Sequence, residues 1–259
     1  MPASLTARLA WLVPGSLFAV ATLGWGTITL VDLSAHERHH EQQEFTVPIH
    51  TLELDTDKGD VQIVGTDAST VTVDATVSEG LRAGSHSAQV QGDRLVIRST
   101  CPIMFSTWCG VDYTIKVPAD TAIVTHSSGG GVAVSGVTGD MTLTSSGGGL
   151  HVIGGGGTLT LESSGGGVNG EHLTSGVVTA SSSGGGVHLS FAEPPHTVKA
   201  DSSGGGVSVE VPDAPGAYQV HASSSGGGTD VGVRTDPSSP DVIDASSSGG
   251  GVTVRYVSG

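Results

Sequence analysis

The chain has 259 residues, with 10 Lys and Arg against 25 Asp and Glu, and a formal net charge of −15. Every acidic residue lies after Val31, so the bulk of the chain has no basic face to neutralise phosphate, which excludes nucleic acid as a partner and disfavours direct docking on anionic lipid or wall polymer. Aromatic residues are only 4% of the chain, too few for a sugar-stacking platform or a large enzyme pocket.

Residues 1–8 read as a cytoplasmic stub. Residues 9–31, L-A-W-L-V-P-G-S-L-F-A-V-A-T-L-G-W-G-T-I-T-L-V, carry no charge. As a helix they would span roughly 34 Å, enough for a hydrocarbon core of about 30 Å. Trp11 and Trp25 sit near the two ends as interfacial anchors. Arg8 before the run and Asp32 and Glu37 after it orient a transmembrane helix with its N-terminus inside. The run is longer than the h-region of a cleaved signal peptide, and no Ala-x-Ala site follows it. The remainder is therefore expected outside the cytoplasm.

Residues 32–45 read as a polar juxtamembrane stalk. His36, His39 and His40 within it look like metal ligands, but no further ligand completes a site. From residue 46 the pattern turns to strands. Thr51–Leu54, Val61–Ile63 and Val71–Val73 alternate with period two, and Asp57-Lys58-Gly59-Asp60 supplies a turn. Ser78–Ser87 reads as a surface loop, followed by strands at Leu95–Arg98 and Val111–Val117. Cys101 and Cys109 enclose a short loop, and outside the cytosol a pair at this spacing forms a disulfide. Residues 46–120 form the N-terminal β-rungs with this disulfide loop.

Residues 121–259 hold seven copies of Ser-Ser-Gly-Gly-Gly. The triplets begin at Gly129, Gly147, Gly165, Gly184, Gly204, Gly226 and Gly249, at intervals of 18, 18, 19, 20, 22 and 23 residues. A near-fixed period of about 20 residues is the mark of a stacked repeat architecture. Aligned on the first glycine, apolar columns fall six and four residues before it and three and five after it. Polar columns alternate between them. Each repeat thus reads as strand, glycine corner, strand and return, and no repeat can bury its apolar face alone. The expected fold is all-β, a right-handed β-solenoid (β-helix) continuous with residues 46–120. The glycines are expected at corners that need positive φ or leave no room for Cβ. The first serine of each pair is expected inward, bonding corner backbone, and the second outward.

Competing chemistries fail on spacing. No Lys or helix follows a triplet, as a phosphate-binding P-loop requires. A calcium β-roll would place carboxylates after its glycines, and only Asp230 does so. His151 and His188 share a polar column two repeats apart, too far for one zinc ion. Glu162 and Asp201 share another, with Ser181 between them and Lys199 alongside. Their separation touches that of inverting glycosidase carboxylates, but no aromatic cleft accompanies them. No catalytic residue, cofactor or metal is expected.

The order of parts resembles a known group. A single N-terminal span is followed by L-E-L-D-T-D-K-G-D-V-Q-I-V-G, a cysteine pair leading into C-G-V-D-Y-T-I-K-V-P-A-D, and recurring S-S-G-G-G-V-x-V. This looks like the bacterial putative-adhesin family, a β-strand repeat family of unknown function. The resemblance covers residues 46 to the C-terminus and implies an envelope-exposed β-solenoid without established catalytic residues. Members of that family carry Ser-Gly-Asp or Ser-Gly-Asn at the corner. This chain carries three glycines, apart from Lys58-Gly59-Asp60.

The resulting expectation is a non-enzymatic, membrane-anchored extracytoplasmic module that binds a surface or envelope polymer or protein. The alternatives are an envelope-stress accessory protein acting through protein partners, and a carbohydrate-active β-helix enzyme. The final strand around Val252–Tyr256 is expected to form an open end that supports weak self-association, limited by Arg255.

Overall fold

A computed structural model describes residues 37–79, 84–101 and 109–257. The expected membrane span 9–31 and His36 lie outside them. Among the described residues no helix is long and apolar enough to cross a membrane.

The described chain is all-β. Its first part holds β1 (Glu37–Phe45), β2 (Thr51–Thr56), β3 (Val61–Thr66), β4 (Val71–Glu79), β5 (Ser85–Gln91), β6 (Arg94–Thr100) and β7 (Gly110–Pro118). The glycine repeats then supply pairs of strands, one on each side of a corner. These are β8 (Ala122–Ser127) and β9 (Val132–Ser135), β10 (Met141–Ser145) and β11 (Leu150–Ile153), and β12 (Thr158–Ser163) and β13 (Val168–Leu173). They continue as β14 (Val177–Ser182) and β15 (Val187–Phe191), β16 (Thr197–Ser202) and β17 (Val207–Val211), β18 (Gln219–Ser224) and β19 (Thr229–Val231), and β20 (Val242–Ser247) and β21 (Val252–Tyr256).

Every repeat places its first strand in one sheet and its second in the other. One sheet runs β1-β4-β7-β3-β9-β11-β13-β15-β17-β21-β19, and the other β18-β20-β16-β14-β12-β10-β8-β2-β6-β5. The sheets are mixed. The repeats pair in parallel and in register, whereas β1–β4, β4–β7 and β5–β6 are antiparallel at one end.

The core lies between the sheets and is built of like-on-like columns. Ile123, Met141, Leu159, Val178, Val198 and Ile243 stack in one sheet, and Val132, Leu150, Val168, Val187, Val207 and Val252 in the other; all are buried. The column Leu143, Leu161, Ala180, Ala200, Ala245 narrows as the sequence requires. Gly170 leaves a gap in the facing column. A bulge after it, with His172 at φ 51°, brings Leu173 into the space, where a Cβ on Gly170 would lie 2.8 Å from Leu173 Cδ1.

The serines behave as the spacing predicts. At five corners the first serine, Ser145, Ser163, Ser182, Ser202 or Ser247, is buried and the second is exposed; Ser224, at the end of the stack, is partly exposed. Each buried hydroxyl accepts from the N–H of the middle glycine of its own corner, at 2.9–3.1 Å from Gly148, Gly166, Gly185, Gly205 and Gly250. It also donates to the middle-glycine carbonyl of the adjacent rung, at 2.7–3.1 Å.

The glycine rationale needs a correction. None of the triplet glycines has a positive φ; the positive-φ glycines are Gly59, Gly92, Gly136, Gly154, Gly157 and Gly216. Close approach between rungs is what demands glycine at the corners. A Cβ on Gly148 would lie 2.4 Å from Gly130 backbone, and one on Gly130 would lie 1.8 Å from Gly59 O.

Three further expectations change. Residues 37–45 are not part of a stalk: β1 pairs along its full length with β4. Its charged sequence suits an edge strand, where charge discourages pairing with another chain. The loop expected at Ser78–Ser87 is shorter, since β4 runs to Glu79 and β5 starts at Ser85. Finally, rungs do not stack in chain order. The rung of β6 and β7 lies outside that of β2 and β3, and the last repeat, β20 and β21, sits between β16/β17 and β18/β19. The sixth repeat therefore ends the stack. The serine ladder follows this order, with Ser247 donating to Gly205 O and Ser224 to Gly250 O.

Two predictions follow from the corner. Ser163→Ala removes a buried hydroxyl and leaves corner groups unpaired, so it costs about 1–3 kcal/mol in denaturant unfolding, while the exposed Ser164→Ala stays within about 0.5 kcal/mol. Gly148→Ala destabilises more strongly still, whereas Gly228→Ala, with nothing within 4 Å of the added Cβ, is tolerated. For the rung order, cysteines at Ser208 and Thr253, which are direct partners, crosslink under mild oxidation; cysteines at Ser208 and Asp230 do not.

Candidate binding face

The residues singled out by spacing fall into distinct places. Cys101 and Cys109 form a disulfide, Cα–Cα 5.7 Å, tying the end of β6 to the start of β7. The first glycines Gly129, Gly147, Gly165, Gly184, Gly204, Gly226 and Gly249 all stand at corners between the two sheets.

Glu162 and Asp201 lie on the outer face of the second sheet, two rungs apart with Ser181 between them. Asp201 accepts from Ser246 Oγ, and Lys199 Nζ is 3.8 Å away. Both carboxylates stand on a strand face with their neighbours in the columns, not facing each other across a cleft.

His151 and His188 also lie two rungs apart, with Asn169 between them on the outer face of the first sheet. Asn169 Nδ2 is 3.1 Å from His151 Nδ1 and donates to Glu171 Oε1 at 2.7 Å. Asn169 Oδ1 is shut off from solvent and has no hydrogen-bond partner. His40 is on β1, 3.8 Å from Asp74. No group of three or more His, Cys, Asp or Glu among the described residues is placed to hold a metal ion.

Arg255 is not at an open edge, because β21 is flanked by β17 and β19. Its guanidinium donates through Nε and Nη2 to Glu210 Oε1 on β17. The free edges at that end are β18 and β19, and the two connections crossing it are pinned by one arginine. Arg234 donates to Asp213 Oδ1 and Ala214 O, and its N–H and Nε both donate to Tyr256 Oη. Those donated bonds lower the Tyr256 pKa from its ordinary value and raise that of Arg234.

The concave surface is on the first sheet. Two adjoining hollows, of about 570 and 670 Å³, run along the start of its strands. They are lined rung after rung by the same three positions: the third glycine of the corner, the buried residue after it, and the next outward residue. From β9 to β21 the outward residues are Ala133, His151, Asn169, His188, Ser208 and Thr253. At β3 and β7 the glycine position is taken by Asp60 and Asp112, which line that end. Asp112 Oδ1 accepts from Asp60 N–H at 2.8 Å, and Asp60 Oδ1 from Gly131 N–H at 2.9 Å. Tyr113 lies beneath, its phenol pKa pushed up to about 12 by burial.

Sequence columns located the outward residues but not the trough, which depends on strand order. Its acidic end was marked in the sequence by Lys58-Gly59-Asp60, an acid where the repeat corners have glycine; the second acid, Asp112, carries no such corner motif. Arg255→Ala leaves the buried Glu210 carboxylate unpaired; unfolding titrations should show a loss of about 1–3 kcal/mol, with no change in association state by sedimentation.

No family model matches the chain, and no curated protein matches it. Among solved structures, it is similar to a putative adhesin from Bacteroides fragilis, at TM-score 0.44 and 15% identity over 85% of this chain and 97% of that one. It is also similar to a putative cell adhesion protein from Clostridium sporogenes, at TM-score 0.39 and 12% identity over 85% and 100%. A third is a putative lipid binding protein from Parabacteroides distasonis, at TM-score 0.38 and 12% identity over 85% and 97%. Further solved structures it is similar to, from Parabacteroides merdae and Parabacteroides distasonis, are also described as putative adhesins.

Proposed function

We propose that the protein is a membrane-anchored, extracytoplasmic, right-handed β-solenoid that binds a surface or envelope ligand and performs no chemistry on it. The observation that carries this reading is the trough, a shallow open hollow lined by the same three positions rung by rung along the stack. The uncharged run Leu9–Val31 supports the anchor, and the Cys101–Cys109 disulfide supports an oxidising compartment.

Loss of the stalk sharpens the geometry of this proposal. Five residues separate Val31 from the start of β1, a reach of at most about 22 Å. The β1 end of the stack is then held close to the bilayer. The β18/β19 end points away, about 48 Å distant for the eleven strands of the first sheet.

A binding screen of the full-length chain against neutral glycans, acidic glycans and wall polymers tests the reading. Saturable binding of a polymer that is recovered unaltered is expected. Turnover of a bound polymer, or no binding to any class, contradicts it.

A further inference from the structure

The trough carries a row of unused backbone donors. In every corner from Gly131 onward the carbonyl of the third glycine accepts from the strand residue of the adjacent rung. The N–H groups are treated unequally. Gly131 N–H has a partner, the Asp60 carboxylate, because an acid stands at the glycine position one rung back. At Gly149, Gly167, Gly186, Gly206 and Gly251 the residue one rung back is glycine, with no side chain to reach across. Among the described residues, these five N–H groups donate to no protein acceptor.

Asp60 thus shows where an acceptor oxygen sits on this row. Removing that side chain from the following rungs leaves the same place open, at a spacing of about 4.8 Å. The flanking column adds groups that can donate or accept: His151, Asn169, His188, Ser208 and Thr253. A buried, unpartnered oxygen, Asn169 Oδ1, lies among the residues lining the middle of the trough.

We infer that the trough from Gly149 to Gly251 binds a linear, uncharged glycan, laid along the stack with about one sugar per rung. The inference rests on the binding reading above and names its ligand. Glycan hydroxyls and amide carbonyls supply the acceptors that the row lacks; in a β-1,4 pyranose chain the groups on one side recur every second sugar, close to twice the rung spacing, so alternate donors of the row meet an acceptor. A polyanion is disfavoured by the net charge of −15 and by Asp60 and Asp112 at one end. An extended peptide is a poor match, since its carbonyls on one side recur every second residue, at about 6.6 Å. Glycine and valine give no ring for a sugar to stack on, so affinity comes from many weak polar contacts and rises with chain length.

Chitohexaose, with the full-length isotope-labelled chain, is the probe. Its addition should shift the amide resonances of Gly149, Gly167, Gly186 and Gly206, and chitobiose should bind at least tenfold more weakly. The variant Gly131→Asp extends the carboxylate column by one rung; an added Cβ there has 3.4 Å to Gly149 O. It should occupy the Gly149 amide, weaken chitohexaose roughly threefold to tenfold, and leave the shifts at Gly186 and Gly206 in place. Binding with shifts confined to other residues overturns the trough assignment but leaves the binding reading standing. Tighter binding of hexagalacturonate than of chitohexaose overturns the uncharged class. Absence of any shift at the glycine row with both oligosaccharides overturns the inference outright.

Discussion

One hydroxyl per repeat holds this structure in register. From Ser145 onward each buried serine of the corners takes the N–H of its own corner and gives its proton to a carbonyl of the adjacent rung, so a polar atom inside the corner is satisfied on both sides. The arrangement works only where rungs come close enough for the hydroxyl to span them. That closeness is what the glycines permit, since backbone of one rung stands where a Cβ of the next would be. Serine and glycine are therefore one device. Glycine lets the rungs approach, serine connects them, and the Val, Ile and Leu columns stack as a consequence.

Much of this was legible because the repeats are long enough to align in columns. The inward and outward alternation, the narrowing from Leu143 to Ala200 and the inward serine all follow from position relative to the glycines. Rung order did not follow, for a physical reason. Every repeat presents the same backbone ladder and the same serine, so repeat five can pair with repeat seven as well as with repeat six. What discriminates is the return connection. Within the glycine repeats, connections between successive rungs have three to five residues, but those after β17 and β19 have seven and ten. The longer ones let the chain pass over a vacant rung position and come back to fill it. Their signal was present as the lengthened intervals before Gly226 and Gly249.

β1 was misread because charge along a strand resembles a solvated linker when only composition is weighed. As an edge strand it has partners on one side only, so Arg38, His40 and Glu44 need no apolar neighbours. At the other end the expectation for Arg255 failed with the rung order. A residue expected at the open edge is held by Glu210 inside the ladder, and Arg234 does the work of fastening that end. The trough was the least legible feature, since it exists only once third glycines of successive rungs are placed side by side. Its chemistry nevertheless rests on one readable contrast, Asp60 against glycine at the same place in the corner.

Amide hydrogen exchange at the corner glycines tests the central claim most directly. The middle glycines Gly148, Gly166, Gly185, Gly205 and Gly250 donate to the buried serines, and their N–H groups should exchange as slowly as those of the central strands. The third glycines Gly149, Gly167, Gly186 and Gly206, one residue further along the same backbone, should exchange at rates near those of exposed amides. Equal exchange at the two positions would contradict both the serine ladder and the open donor row.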